Sequence, residues 1–117
     1  MARILIVDDD PAQLRVRGQL LRLWGHEVQA ASTRDEAVRL LGSRPPQVLL
    51  VDLRVPTVED GLTIIRAAAA QPSPPRIVVL SGWPEALYDR PEAGLVARVL
   101  LKPVRTAELL EAIGLTG

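Results

Sequence analysis

The residues in this chain that could do chemistry share one placement: each follows directly on a short apolar run. Asp8, Asp9 and Asp10 follow Ile4–Val7, Asp52 follows Val48–Val51, Ser81 follows Ile77–Leu80, and Lys102 follows Val96–Leu101. With the runs folded as parallel strands, all these groups emerge at one edge of a sheet. Carboxylates packed that closely repel and raise each other's pKa unless a cation joins them. The candidate ligands are all oxygen donors, which suits a hard ion, and Mg²⁺ with several retained waters fits best. A carboxylate beside such an ion is also a usable nucleophile for phosphoryl transfer. That reaction needs its equatorial oxygens neutralised and its partners in line. Lys102 supplies a compact charge and Ser81 a hydroxyl donor.

The elements that must position these groups are legible in the same pattern. The four runs are rich in β-branched residues and mostly do not alternate with polar ones, as strands covered on both faces do. A weaker run, Glu27–Ala31, alternates and reads as an edge strand. Helical segments lie between. Asp10 before Pro11 reads as an N-cap with proline at the first helical position. That helix is expected to reach about Trp24, with Leu14, Leu20, Leu21 and Trp24 inward, and to end at Gly25. Thr33 and Glu36 form a capping-box pattern before a helix using Ala37, Leu40 and Leu41 and closed by Gly42. A third helix is expected from near Asp60 or Gly61, with Leu62, Ile65 and Ala69 inward. A last one is expected from near Thr106, carrying Leu109, Leu110 and Ile113. Pro84 and Pro91 confine any helix between Trp83 and Gly94 to under two turns. Strand and helix alternating in this order define an α/β fold, a doubly wound five-stranded parallel sheet with helices on both faces. Ligands of such sheets sit beyond the carboxyl ends of the strands, at the topological switch point.

Bulk properties narrow the field. A chain of 117 residues is the size of one domain, and residues 1–117 read as a single one without repeat or linker. With 48% hydrophobic residues it is not a disordered tail. Lys+Arg and Asp+Glu balance at 14 each, so no basic excess argues for direct nucleic-acid binding or a polybasic membrane patch. The absence of cysteine excludes disulfide and thiol chemistry. The run before Asp8 is too short for a signal peptide, and no apolar stretch approaches the roughly 18 residues that span a bilayer. A soluble, cytoplasmic protein is the expectation.

Four segments taken together resemble the receiver domains of two-component response regulators: Ile4–Asp10, Val48–Pro56, Ile77–Gly82 and Leu101–Pro103. The resemblance runs over essentially the whole chain. It implies the flavodoxin-like strand order 2-1-3-4-5 and a phosphoryl group passed from a histidine kinase or phosphotransfer protein to Asp52. It also implies Mg²⁺ held by Asp9 directly, by Asp8 through water, by Asp52, and by the backbone carbonyl of Arg54. Lys102 would bind a phosphoryl oxygen, through a Lys102–Pro103 peptide that is typically cis in the family. Ser81 would hydrogen-bond the phosphoryl group and shift towards it. The resemblance implies no enzymatic activity beyond the domain's own phosphorylation and dephosphorylation, and a downstream protein or output domain as reader, with homodimerisation left open.

Three departures from the family pattern bear on output. The loop from Pro56 to Gly61 is one residue longer, through Thr57–Asp60. The switch aromatic, normally three residues before the lysine, is Val99 here. The segment where the fourth helix belongs is broken by prolines. Trp83, Leu87 and Tyr88 therefore stand as the candidate exposed anchors for a partner, with Trp83 also placed to lie over Asp52. A plainer reading stands beside each residue. Asp10 is a cap before it is a ligand, Ser81 alone is a strand-end hydroxyl, and Lys102 alone is a surface lysine. His26 reads as a surface residue and Trp24 as core. Two other functions compete. A haloacid-dehalogenase-type phosphatase would use Asp8 and Asp10, but leaves Asp52 without a role and lacks an acidic pair after Lys102. A non-phosphorylated adaptor with a receiver fold would have lost Asp52, Lys102 or the acidic pair. A flavodoxin is disfavoured because Asp8–Asp10 would repel a phosphate where that fold binds one.

Overall fold

The computed structural model describes residues 2–114. Five parallel strands, β1 (Arg3–Val7), β2 (Glu27–Ala31), β3 (Val48–Asp52), β4 (Arg76–Ser81) and β5 (Arg98–Leu101), form one sheet in the order β2-β1-β3-β4-β5. Between and after them lie α1 (Pro11–Leu23), α2 (Arg34–Ser43), α3 (Val58–Ala69), a one-turn α4 (Glu85–Tyr88) and α5 (Thr106–Ile113), with a 3₁₀ turn at Pro91–Leu95.

The uninterrupted apolar runs reflect a sheet buried on both sides. Leu5, Val7, Leu49, Val51, Ile77 and Val79 enter one core with Ala37 and Leu41 of α2 and Leu62, Ile64, Ile65 and Ala68 of α3. Their neighbours Ile4, Ile6, Val48, Leu50, Val78 and Leu80 enter a second core with Leu21 of α1 and Leu109, Ala112 and Ile113 of α5. Successive strand residues point to opposite faces, so a central strand needs apolar groups at every position. Each such side chain contributes about 1.5–3 kcal/mol when fully buried.

Two helix starts are fixed by the residues expected to fix them. The Asp10 carboxylate accepts from the backbone N–H of Ala12 and Gln13 at 2.9 and 3.4 Å. The Thr33 hydroxyl accepts from Glu36 N–H at 3.2 Å, while the Glu36 carboxylate reaches back to Ser32 N–H at 2.9 Å.

Several expectations are corrected. Helix α3 starts at Val58, not near Asp60 or Gly61. Thr57 is its N-cap: the hydroxyl accepts from Asp60 N–H at 3.2 Å and donates to the Asp60 carboxylate at 2.8 Å. Most of the stretch read as loop is thus the helix's first turn. Gly42 lies inside α2, which runs to Ser43. Trp24 is not core. It is the C-cap of α1 and 61% exposed, because Leu21 has already entered the core and Gly25, at φ +89°, turns the chain away. His26 is half-buried, and its Nδ1 accepts from Ala2 N–H at 3.2 Å. Burial holds its imidazole below the ordinary histidine value, consistent with a neutral acceptor. Strand β5 is shorter than its apolar run and is the second edge strand, with Leu101 59% exposed. Val99 and Leu101 lie on the same side of the strand, the first packed in part against the core and the second open to solvent.

Candidate functional site

Strand register carries the candidate residues to one edge. Val7 pairs with Val51, Asp52 with Leu80, and Ser81 with Leu101, so Asp8, Asp52, Ser81 and Lys102 end four adjacent strands. The ladder extends one step further through Leu53 N–H to Leu80 C=O (3.0 Å) and Lys102 N–H to Ser81 C=O (2.9 Å). The Lys102–Pro103 peptide is cis, as is Val55–Pro56.

Asp8, Asp9 and Asp52 each offer a carboxylate oxygen within 4.8 Å of the others. Asp8 and Asp52 are buried, while Asp9 is exposed and lines both clefts that flank the cluster. The buried carboxylates are fully partnered. Asp52 Oδ2 accepts from Lys102 Nζ at 2.5 Å, and its Oδ1 from Arg54 N–H at 3.2 Å. Asp8 Oδ1 accepts from Asp10 N–H, and its Oδ2 from Arg17, both at 2.9 Å. Among the described residues no hydrogen bond reaches the Asp9 carboxylate, the one left open to an incoming cation. Three close carboxylates with no nitrogen or sulfur ligand among them fit a hard divalent ion such as Mg²⁺.

Ser81 is buried beside this cluster, and its Oγ accepts from Trp83 N–H at 2.9 Å. Its hydroxyl proton is therefore free to donate elsewhere. Asp10 does not join the carboxylates, since its side chain is engaged as the α1 cap, which removes the Asp8/Asp10 pair a phosphatase of the competing type would need. Trp83 and Tyr88 are 71% and 61% exposed, but Leu87 is fully buried in the α2–α3 core and cannot be an exposed anchor. Within the single turn of α4 Leu87 enters the core, with Ala86 packed against it in part. Val99 is half-buried against the same core.

The sequence reading missed Arg17. Its signal is present: Arg17 lies three residues before Leu20, an expected inward position, and Gln13 lies four earlier still, one helical stripe. Gln13, Arg17 and Leu20 indeed line the cleft that holds Asp8, Asp52 and Lys102.

The response regulator receiver domain family matches residues 4–114, and the chain belongs to it. A positive alginate biosynthesis regulatory protein of Pseudomonas aeruginosa is 33% identical over 113 residues, 94% of this chain and 45% of that protein. The chain spans about half the length of the curated relatives it matches first. A CheY-like receiver domain from Methylobacillus flagellatus superposes with a TM-score of 0.82 at 25% identity, covering 97% of this chain and 98% of that one. The receiver domain of the sensor histidine kinase PA1611 from Pseudomonas aeruginosa, with a magnesium ion coordinated in its active-site cleft, superposes with a TM-score of 0.79. It is 29% identical, with 96% of this chain and 93% of that one covered. Among the described residues no helix is long and apolar enough to cross a membrane.

Proposed function

We propose that this receiver domain is an active phosphoacceptor, with Asp52 as the modified residue. The observation that carries the reading is the Asp52 carboxylate itself, which ends β3 beside two further carboxylates and is held by Lys102 at 2.5 Å. A carboxylate oxygen of Asp52 forms the new bond to phosphorus as the donor's phosphorus–nitrogen bond breaks. Lys102 follows the charge from Asp52 onto a phosphoryl oxygen, and the Ser81 hydroxyl donates to another. Asp8, Asp9, Asp52 and the backbone carbonyl of Arg54 are the groups that would hold Mg²⁺. When bound, the ion cancels carboxylate repulsion and neutralises the equatorial oxygens.

The donor we infer is a histidine kinase or a phosphotransfer protein, acting in the cytoplasm. The chain turns over no other substrate in this reading, and catalyses only the gain and loss of its own phosphoryl group. Trp83, exposed on the cleft that holds Asp52, and Tyr88, exposed on α4, are the surface offered to a downstream protein, an output domain or a second copy, and Val99 is half-buried against the core that Leu87 enters.

The test is intact-mass measurement after incubation with Mg²⁺ and a small acyl phosphate. One phosphoryl group should be added to the wild type and none to Asp52→Asn. An adduct that persists unchanged in Asp52→Asn overturns the assignment.

A further inference from the structure

Arg17 projects from the second turn of α1 into the acidic site. Its guanidinium donates to Asp8 Oδ2 at 2.9 Å, and the two side chains are only 13% and 2% exposed. This is a largely buried ion pair made by one of the carboxylates that would hold the metal, and it shares a cleft with Asp52 and Lys102. Surface pairs of this chain, such as Arg34 with Asp35, leave both partners open to solvent and are worth little.

We propose that Arg17 is a built-in counter-ion that weakens divalent-metal binding to the unmodified domain. The inference rests on the metal site assigned above. Asp8, Asp9 and Asp52 carry three negative charges, and Lys102 and Arg17 return two positive ones, leaving a single charge uncompensated. A divalent ion therefore over-neutralises the site, or must displace Arg17 from a pocket that shields it from water. Without Arg17 the deficit is two, which a divalent ion matches. Transfer of a dianionic phosphoryl group onto Asp52 replaces one negative charge with two. In the presence of Arg17 that restores the deficit of two, so the guanidinium moves the best charge match from the unmodified to the phosphoryl-bearing protein. Arg17 is thus a positioning residue, acting through Asp8 and touching neither metal nor phosphorus.

The test is calorimetric titration of Mg²⁺ into the wild type, Arg17→Gln, Arg17→Met and Arg17→Lys. Removing the charge should tighten binding about tenfold, the order expected for losing one close, partly desolvated cation. Arg17→Lys, which keeps the charge, should stay near wild type. Thermal unfolding adds a second readout: the two neutral variants should melt lower than wild type without metal and gain more from its addition. Neutral variants that bind Mg²⁺ no more tightly than wild type overturn the proposal and leave the metal site standing. No binding by any of the four proteins removes the metal site, and the proposal with it. Should the neutral variants fail to fold, the Arg17 side-chain N–H resonances of the wild type decide: they should shift through the Mg²⁺ titration, and resonances that stay fixed at saturation overturn the proposal.

Discussion

Gly61 of α3 packs against the backbone of Leu53 so closely that a Cβ at residue 61 would stand 1.9 Å from the Leu53 carbonyl oxygen. Leu53 is the residue after Asp52, so the first turn of α3 rests directly on the chain that presents the nucleophile. No rotamer relieves a clash between Cβ and backbone. Gly61→Ala must push α3 away from β3, and overpacking of this kind costs about 1–3 kcal/mol. Urea denaturation should show that loss, and the acyl-phosphate reaction should slow as the Asp52 loop shifts. A variant with wild-type stability and rate would mean the contact is not tight.

Lys102 reaches Asp52 across fifty residues of sequence, by the alignment of two strand ends. Its side chain is partly exposed, so Lys102→Ala should fold normally. The initial rate of Asp52 modification should fall about 100-fold, the usual loss when one preorganised donor to a developing anion is removed. Time-resolved intact mass measures it. A rate within a factor of two of wild type would assign the charge neutralisation elsewhere.

The 3₁₀ turn after α4 is tied to α3 by Glu92, a buried carboxylate paired with Arg66 at 2.5 Å. Its own backbone N–H, then the Arg66 guanidinium, hold Glu92 below its ordinary value of 4.5. A carboxylate depressed on folding binds protons more tightly in the unfolded chain. Its stabilisation is therefore full above the ordinary value and is lost as pH falls through the depressed one. The stability gap between wild type and Glu92→Gln should be flat near neutrality and close on acidification below 4.5. Salt should narrow it too, since Arg66 is half-exposed. A gap that does not change with pH would assign Glu92 a packing role only.

The fold was legible because a parallel strand covered on both faces leaves a mark that needs no tertiary information. Ile4–Val7, Val48–Val51 and Ile77–Leu80 are apolar at every position because odd and even residues serve two different cores. The site was legible for a related reason, since its residues stand immediately after those runs. What escaped depended on how separate elements meet. Arg17 shares a helical stripe with Gln13 and Leu20, but that this stripe faces the acidic cleft depends on α1 crossing beside the end of β1, which the stripe alone does not state. Leu87 lies between polar residues and prolines and resembles surface, yet a one-turn helix must plant one side chain in the core. Trp24 is large and apolar, but Gly25 turns the chain before it can be covered.

Val99 has one stiff torsion and little volume, so it cannot swing inward as an aromatic does when a neighbouring hydroxyl moves. The structure offers another link. Ser81 Oγ accepts the Trp83 backbone N–H at 2.9 Å, so a hydroxyl that turns towards a group on Asp52 must re-aim or release that bond. Trp83, 71% exposed on the cleft that also holds Asp9, Asp52 and Lys102, then moves with it. Trp24→Phe alters only an exposed C-cap and leaves Trp83 as the sole tryptophan. In that background, Mg²⁺ with beryllium fluoride as a stable phosphoryl mimic should change the emission, and Ser81→Ala should abolish the change. Amide exchange across residues 82–94 should respond in parallel. Constant emission and constant exchange in both states would exclude this loop as output. The signal would then have to leave through Thr57 and Asp60 at the start of α3, where Arg34 joins α2 to the same turn at 3.2 Å.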